Sequence, residues 1–349
     1  MSPVVYGTQA FARRDPAERV RTLHAAIDIG ITSIDTAPLY EFGESEQMVG
    51  RAIADRRDRV QVLTKVGLRW DDSHGEVLFT SNDESGAPRV VRRDSRPASV
   101  RRDVEGSLQR MGIEVIDLCQ IHHPDTSVPL AETIGELGRL CDEGKIKAIG
   151  VCNFSAAQVD EAKQELGDRP LASLQSEYSL LRREVERGAM DAVHEHGCGF
   201  LAYSPLLHGL LAGRTIKGRR LGLHDYRRFN PLFLPTNLAR IEAARVSGLQ
   251  PLARRHRVAE AQIALAWVLQ RPGVTAVIAG GSTAAQVRAN ASAAELHLLP
   301  GERAGLEAEF ARVKLDPHAR PRKRDKLREK GERIAGKVLD RLSQRFPWL

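Results

Sequence analysis

Ile34-Asp-Thr-Ala-Pro-Leu-Tyr40-Glu-Phe-Gly-Glu-Ser-Glu46 is the stretch on which the reading of this chain turns. The apolar segment before it, Gly30-Ile-Thr-Ser-Ile34, is short and β-branched, as a buried strand should be. Asp35 stands where that strand should end, and Pro38 forbids its continuation. Tyr40 follows on the loop leading to a helix expected to start near Ser45. A carboxylate and a phenol beside a buried strand both need polar partners once water is excluded. A capping aspartate and a surface tyrosine in an ordinary strand-to-helix loop would look the same. The other strand ends decide.

Working outward, short apolar strands alternate with amphipathic helices through residue 316. Strands are predicted at 4–6, 33–36, 60–65, 115–122, 147–152, around 174–175, at 199–203 and at 275–278. Helices between them carry their own punctuation. Asp15-Pro16 caps the first, Gly112 and Gly144 close later ones, and Ser155 caps another. One long helix, 237–269, is expected to break at Gly248–Pro251. Eight β-α repeats over residues 1–316 predict a (β/α)8 TIM barrel in the α/β class. A doubly wound sheet is the rival, but it calls for a GxGxxG turn after its first strand, and none is present. Two segments, 69–96 and 207–236, are longer than ordinary connections; both follow strands and would lie over the barrel mouth.

Composition narrows the class. There is no apolar run of membrane-spanning length. No basic region followed by an apolar core opens the chain, so a cytoplasmic location is expected. Cys119, Cys141, Cys152 and Cys198 show no metal-ligand spacing and read as reduced thiols. The net charge of +7 is not spread over the body: residues 318–349 hold eleven Lys/Arg against four Asp/Glu and carry the whole excess. Residues 317–349 are therefore read as a basic C-terminal tail, with Leu327, Ile334, Val338, Leu342 and Phe346 at helical spacings. Docking on the barrel or a homo-oligomer partner, contact with an anionic surface, and a solubilising tail remain open for it. No nucleic-acid motif accompanies the charge, and no nucleic-acid partner is expected.

On a barrel, residues at strand C-terminal ends converge on one mouth. Those ends supply Asp35 and Tyr40, then Lys65, then His122. Next come Cys152-Asn153, Gln175 and Tyr203-Ser204. Any one of them could be a satisfied core or surface residue; a carboxylate, a phenol, an ammonium and an imidazole at consecutive strand ends is harder to explain by packing. Alternation points His123 away from the mouth, and it is given no role.

The residues that carry a resemblance are Ile34-Asp-Thr-Ala-Pro-Leu-Tyr40, Gly43-Glu-Ser-Glu46, Leu63-Thr-Lys65, Ile116-Asp-Leu-Cys-Gln-Ile-His122 and Gly144-Lys-Ile-Lys-Ala-Ile-Gly-Val-Cys-Asn-Phe154. Gln175-Ser-Glu-Tyr-Ser-Leu-Leu181 and Ala202-Tyr-Ser-Pro-Leu206 with Gly209-Leu-Leu-Ala-Gly213 complete them. In this order they resemble an aldo-keto reductase over about residues 4–295. The resemblance implies reduction of an aldehyde or ketone by a nicotinamide cofactor. Tyr40 would be the general acid, Lys65 would lower its pKa, Asp35 would hold Lys65, and His122 would orient the carbonyl. It further implies Asn153 and Gln175 on the carboxamide, Tyr203 stacked on the ring, and Ser204, Leu206 and Gly213 along the pyrophosphate. Gly280, Ser282, Gln286 and Asn290 would take the adenosine end, at a helix N-terminus.

Here the chain departs from the family. Relatives often grip the 2′-phosphate of NADPH with Lys or Arg where this chain has Gly280, Gly281 and Ser282. NADP(H) is the expectation from the resemblance, and NAD(H) stays open. Trp70 and Tyr226 are candidate substrate walls. Two further readings stand beside the reductase: a cofactor-binding regulatory subunit on the same fold, and an alcohol or sugar dehydrogenase running in the oxidative direction.

Overall fold

The structure is a computed structural model that describes residues 1–9, 15–83, 85–213 and 230–316. Tyr226 and the basic tail 317–349 lie outside the described residues. Eleven strands are present among those described. Eight form a closed parallel barrel in the order β1–β11–β10–β9–β8–β7–β3–β2. These are β1 (Val4–Gly7), β2 (Ser33–Asp35), β3 (Gln61–Val66), β7 (Leu118–Ile121), β8 (Ile149–Cys152), β9 (Leu171–Glu177), β10 (Gly199–Tyr203) and β11 (Val274–Ile278). The eight predicted strands are all there, each within a few residues of its predicted bounds. Among the described residues no helix is long and apolar enough to cross a membrane.

The barrel interior is built in two levels. Val5, Leu63, Leu118, Leu201, Ala276 and Ile278 form an apolar cluster of their own, separate from the larger core between strands and helices. Two residues further along β3 and β7, alternation brings Lys65 and Gln120 to the same inner face, paired across the strands. Space there is tight. A Cβ on Gly150 would stand 2.5 Å from Ser173 Oγ and 3.0 Å from Gln120 Cγ. The polar level sits at the C-terminal end of the strands, where a barrel keeps its chemistry.

The local signals explain most helix bounds. Asp15 accepts from Ala17 N ahead of the helix Pro16–Asp28, and Ser155 forms a reciprocal capping box with Gln158. Gly112 closes Pro97–Met111 in the left-handed region at φ 63°. The expected break at Gly248–Pro251 is different in kind. Arg245–Leu249 is a π turn joining Pro235–Ala244 to Gln250–His256, which absorbs the donor that Pro251 lacks. The interruption falls later, at Arg257 (φ 56°), before Glu260–Leu269.

The segment expected as a long loop after β3 is ordered as an arm. β4 (Leu68–Arg69), β5 (Glu76–Asn82) and β6 (Pro88–Arg93) form an antiparallel sheet in the order β4–β6–β5. The sequence holds a partial signal: Val77-Leu-Phe-Thr80 and Val90-Val91 flank Asp83, Ser85 and Gly86, a turn composition.

Candidate active site

Strand register brings the four expected catalytic residues together. β2 ends at Asp35, level with Gly7 and Leu63 on its neighbours, and Lys65 lies two residues beyond Leu63 on β3. Lys65 Nζ donates to Asp35 Oδ1 at 2.8 Å, to Thr36 O at 2.9 Å and to the Tyr40 hydroxyl at 3.2 Å. All three donor positions of the ammonium are thereby used. Both charged side chains are deeply buried, Lys65 at 1% exposure and Asp35 at 2%. The second Asp35 oxygen accepts from Gln175 Nε2 at 2.8 Å. A buried ion pair is tolerable when its remaining lone pairs are satisfied, and here they are. His122 sets its ring edge-on to Tyr40, centroids 6.0 Å apart and planes at 82°.

Protonation states follow from burial. Burial pushes the Tyr40 phenol up to about 12, against the pull of the Lys65 ammonium. This corrects the expectation that Lys65 would lower it: the ammonium acts in that direction, but its charge is shared with Asp35 and desolvation outweighs it. Burial also works against the Lys65 ammonium, yet Asp35, with Tyr40 and Cys152, holds it above the ordinary lysine range. His122 is driven well below 6.5 by burial and then by Lys65 and His123, which makes it a neutral imidazole at pH 7. The site thus presents a protonated phenol and a neutral ring beside one fixed positive charge.

An open cleft of about 2020 Å³ leads from Asp35, Tyr40 and His122 across the mouth. A drug-sized ligand pocket is typically about 300–1,000 Å³, so the cleft has room for more than one small molecule. Its middle is lined by Asn153, Gln175, Tyr203, Ser204 and Leu206. Tyr203 OH donates to Asn153 Oδ1 at 2.8 Å, and Asn153 Nδ2 donates to His122 O at 3.0 Å and to Cys152 Sγ at 3.2 Å. Gln175 braces Asp35, and its oxygen takes a long contact from Cys152 Sγ, 3.8 Å. Gly213 turns the chain at φ 69° beside the Arg245–Glu260 ion pair and does not line the cleft.

At the far end the cleft reaches Gly280, Ser282, Gln286 and Asn290. A Cβ on Gly281 would lie 2.6 Å from Val287 Cγ2, so only glycine lets this turn close on the helix Ala284–Ala291. Asn290 Nδ2 donates to Gly280 O at 3.1 Å, and Gln286 Oε1 accepts from Ser282 N at 2.8 Å. A glycine cradle at a helix N-terminus, lining the same cleft as Asn153 and Gln175, suits a dinucleotide. Asn153 and Gln175 would hold its nicotinamide end, and the 280–290 turn its adenosine end. Arg288, exposed, is not among the residues that line the cleft.

Two expectations at the substrate side change. Trp70 does not line the cleft; it packs edge-on against Phe42, centroids 5.6 Å apart, and Phe42 lines it instead. His123 does line the cleft, stacked on His122 at 5.3 Å and 13°. The reason is that β7 ends at Ile121, so strand alternation no longer governs residue 123. Phe42 was missed because nothing in its spacing marks a mouth-facing position, and segment 69–96, expected over the mouth, gave no sign of which of its residues would line the cleft.

Comparison with known proteins agrees with this geometry. The model of the aldo/keto reductase family matches residues 3–307. The aldo-keto reductase YhdN of Bacillus subtilis (strain 168) is 34% identical over 278 residues, covering 79% of this chain and 78% of the relative. An NADH-specific methylglyoxal reductase of Escherichia coli (strain K12) is 33% identical over 288 residues, covering 80% and 83%. Among solved structures, a glycerol dehydrogenase from Gluconobacter oxydans superposes with a TM-score of 0.80 at 35% identity, covering 91% of this chain and 94% of that one. With the barrel, the tetrad at its mouth and a family match over nearly the whole described body, this chain belongs to the aldo/keto reductase family and is an oxidoreductase.

Proposed function

We propose that the protein reduces a small aldehyde or ketone to the alcohol with a nicotinamide dinucleotide, Tyr40 acting as general acid. The observation that carries this is the contact of Lys65 Nζ with both Asp35 and a Tyr40 phenol that keeps its proton. The bound dinucleotide supplies the hydride. As negative charge grows on the carbonyl oxygen, Tyr40 gives up its proton, and Lys65 stabilises the phenolate left behind. Neutral His122 donates a hydrogen bond that fixes the carbonyl. Asp35, held by Gln175, keeps the ammonium pointed at the phenol. At neutral pH the phenol carries the proton that reduction consumes; a glycerol dehydrogenase relative is named for the oxidative direction, which the same residues would serve in reverse with Tyr40 as base. The four free thiols suit a reducing compartment, and the cytoplasm is the proposed location.

The acid must be protonated and the imidazole neutral. Tyr40 loses its proton only as pH rises toward about 12, and His122 gains one only well below 6.5. Reduction should therefore keep a level kcat/KM from about pH 7 to about pH 9, where neither group titrates. A descending limb inside that window would contradict the assignment.

Cofactor choice rests on the 280–290 turn. The resemblance points to NADPH, and the proposed donor set is NADPH with NADH accepted. Neutral Gln286 and Ser282 occupy the turn, and they offer no charge-assisted grip on a 2′-phosphate, an interaction worth about 1.5–3 kcal/mol. Tryptophan fluorescence titrated with NADPH and NADH, followed by turnover of 4-nitrobenzaldehyde, tests both points. Saturable binding with turnover is expected, with dissociation constants for the two nucleotides within about tenfold of each other. Gln286→Arg should tighten NADPH by about tenfold and leave NADH unchanged. Binding without turnover of any of a carbonyl panel would move the assignment to a regulatory subunit.

A further inference from the structure

The Tyr40 hydroxyl meets Lys65 Nζ at 3.2 Å, and that distance is only as fixed as the turn that carries the phenol. The turn, Tyr40–Gly43, has unusual backbone. Glu41 and Phe42 both stand in the left-handed region, at φ 53° and 52°, ahead of Gly43 at 97°. Only glycine takes such angles without cost. The helix Glu44–Ile53 starts directly afterwards.

Neighbouring elements hold this segment at several points. Ahead of the turn, Thr36 N donates to Leu63 O at 2.9 Å, and Thr36 Oγ1 shares a hydrogen bond with Ser45 Oγ at 3.1 Å. Trp70 packs edge-on against Phe42. At Glu41 the hold is ionic. Arg19 Nη1 donates to Glu41 Oε2 at 2.6 Å, and the two side chains are only 3% and 9% exposed. Arg19 belongs to the helix Pro16–Asp28, which packs against both Glu44–Ile53 and Ala284–Ala291, the helix that follows the glycine turn. Arg19 and Glu41 both line the cleft.

Stability alone does not explain the arrangement. An ion pair withdrawn from water is often no better than well-packed apolar side chains of the same volume, and here one member also sits on strained backbone. What such a pair does supply is a fixed distance between two elements. One of these carries the acid, and the other packs beside the nucleotide end of the cleft. We propose that Arg19 and Glu41 are positioning residues for the reduction: their ion pair ties the Tyr40 turn to the helix Pro16–Asp28 and so sets where the phenol stands against the carbonyl. The inference deepens the reductase reading above and rests on it. Both side chains act through Tyr40, and a displacement of about 1 Å at a reacting group can cost about 10²-fold in rate.

The test uses the full-length protein with 4-nitrobenzaldehyde and NADPH or NADH, whichever binds tighter, in Glu41→Gln, Arg19→Met and the double variant. Glu41→Gln keeps the shape of the side chain and removes its charge. Its single-turnover rate should fall about tenfold, with KM and the nucleotide dissociation constant each within about twofold of wild type. The solvent deuterium isotope effect on that rate should increase, because a displaced phenol makes proton transfer the slower event. Two residues that act as one brace are not additive, so the double variant should stay within about twofold of the slower single variant. Nucleotide binding, read by tryptophan fluorescence, reports that each variant is folded; Glu41→Gln decides alone if Arg19→Met is not. A rate for Glu41→Gln within about threefold of wild type, an unchanged isotope effect, or a loss matched by weaker nucleotide binding would overturn the proposal while leaving the reductase reading intact. Turnover of no carbonyl by wild type would overturn the reductase reading and the brace with it.

Discussion

Tyr40→Phe should lower kcat for carbonyl reduction by about 10²–10⁴-fold, the range expected for removing a positioned proton donor. The substitution is conservative for everything except the proton. Phenylalanine keeps the edge-on contact with His122 and a ring 4.9 Å from Lys65 Nζ. It removes one hydrogen bond, that from Lys65 at 3.2 Å, a change of about 1 kcal/mol in stability. Nucleotide affinity should move less than threefold, because a group acting in the transition state contributes about equally little to either ground state. Stopped-flow or steady-state loss of reduced nicotinamide absorbance, beside a fluorescence titration, gives both numbers. A variant that keeps a tenth or more of wild-type kcat would assign the proton to another group.

Lys65→Met should be the most damaging single change to the fold among the tetrad. It leaves Asp35 buried at 2% exposure with the Gln175 amide as its remaining side-chain partner. Removing one member of a buried pair costs about 3–5 kcal/mol, because the other charge stays out of water. For a barrel of this size that is a fall of roughly 6–15 °C in Tm by scanning fluorimetry. The double variant Lys65→Met/Asp35→Asn removes both charges and should recover most of that loss without recovering turnover. This separation matters: Lys65 is expected to cost stability by being deleted alone, and activity by being deleted at all. Equal stability of Lys65→Met and wild type would show that the pair is solvated.

Much of this was legible in the sequence because barrels express their chemistry in order. Asp35, Tyr40, Lys65 and His122 fall at the ends of successive strands, so periodicity located them before any coordinate did. The turn at 280–283 announced itself by its glycines and by the helix after it. What was not legible depended on a single strand ending one residue early, or on long-range packing. His123 is the clearest example: period-2 reasoning holds only while the strand lasts, and β7 stops at Ile121. The Tyr40 proton is another. A nearby lysine predicts a lowered pKa, but only the depth of burial tells which effect wins. The arm was hidden for a third reason, since six of the seven β5 residues are exposed and the run shows no clean apolar alternation until its antiparallel partner is found.

Among the described residues, five of the non-glycine residues with left-handed backbone line one opening: Glu41, Phe42, Asn153, Ser204 and His208, with φ between 51° and 65°. Each such conformation costs on the order of 1–3 kcal/mol and persists only where its surroundings insist on it. Glycine placed at these positions would relieve the local conflict, yet it would also free the segment that carries it. A search for heat-tolerant variants would therefore find its easiest gains at the rim of the site and pay for them in turnover. Positions away from this rim are the place to stabilise this enzyme without dulling it.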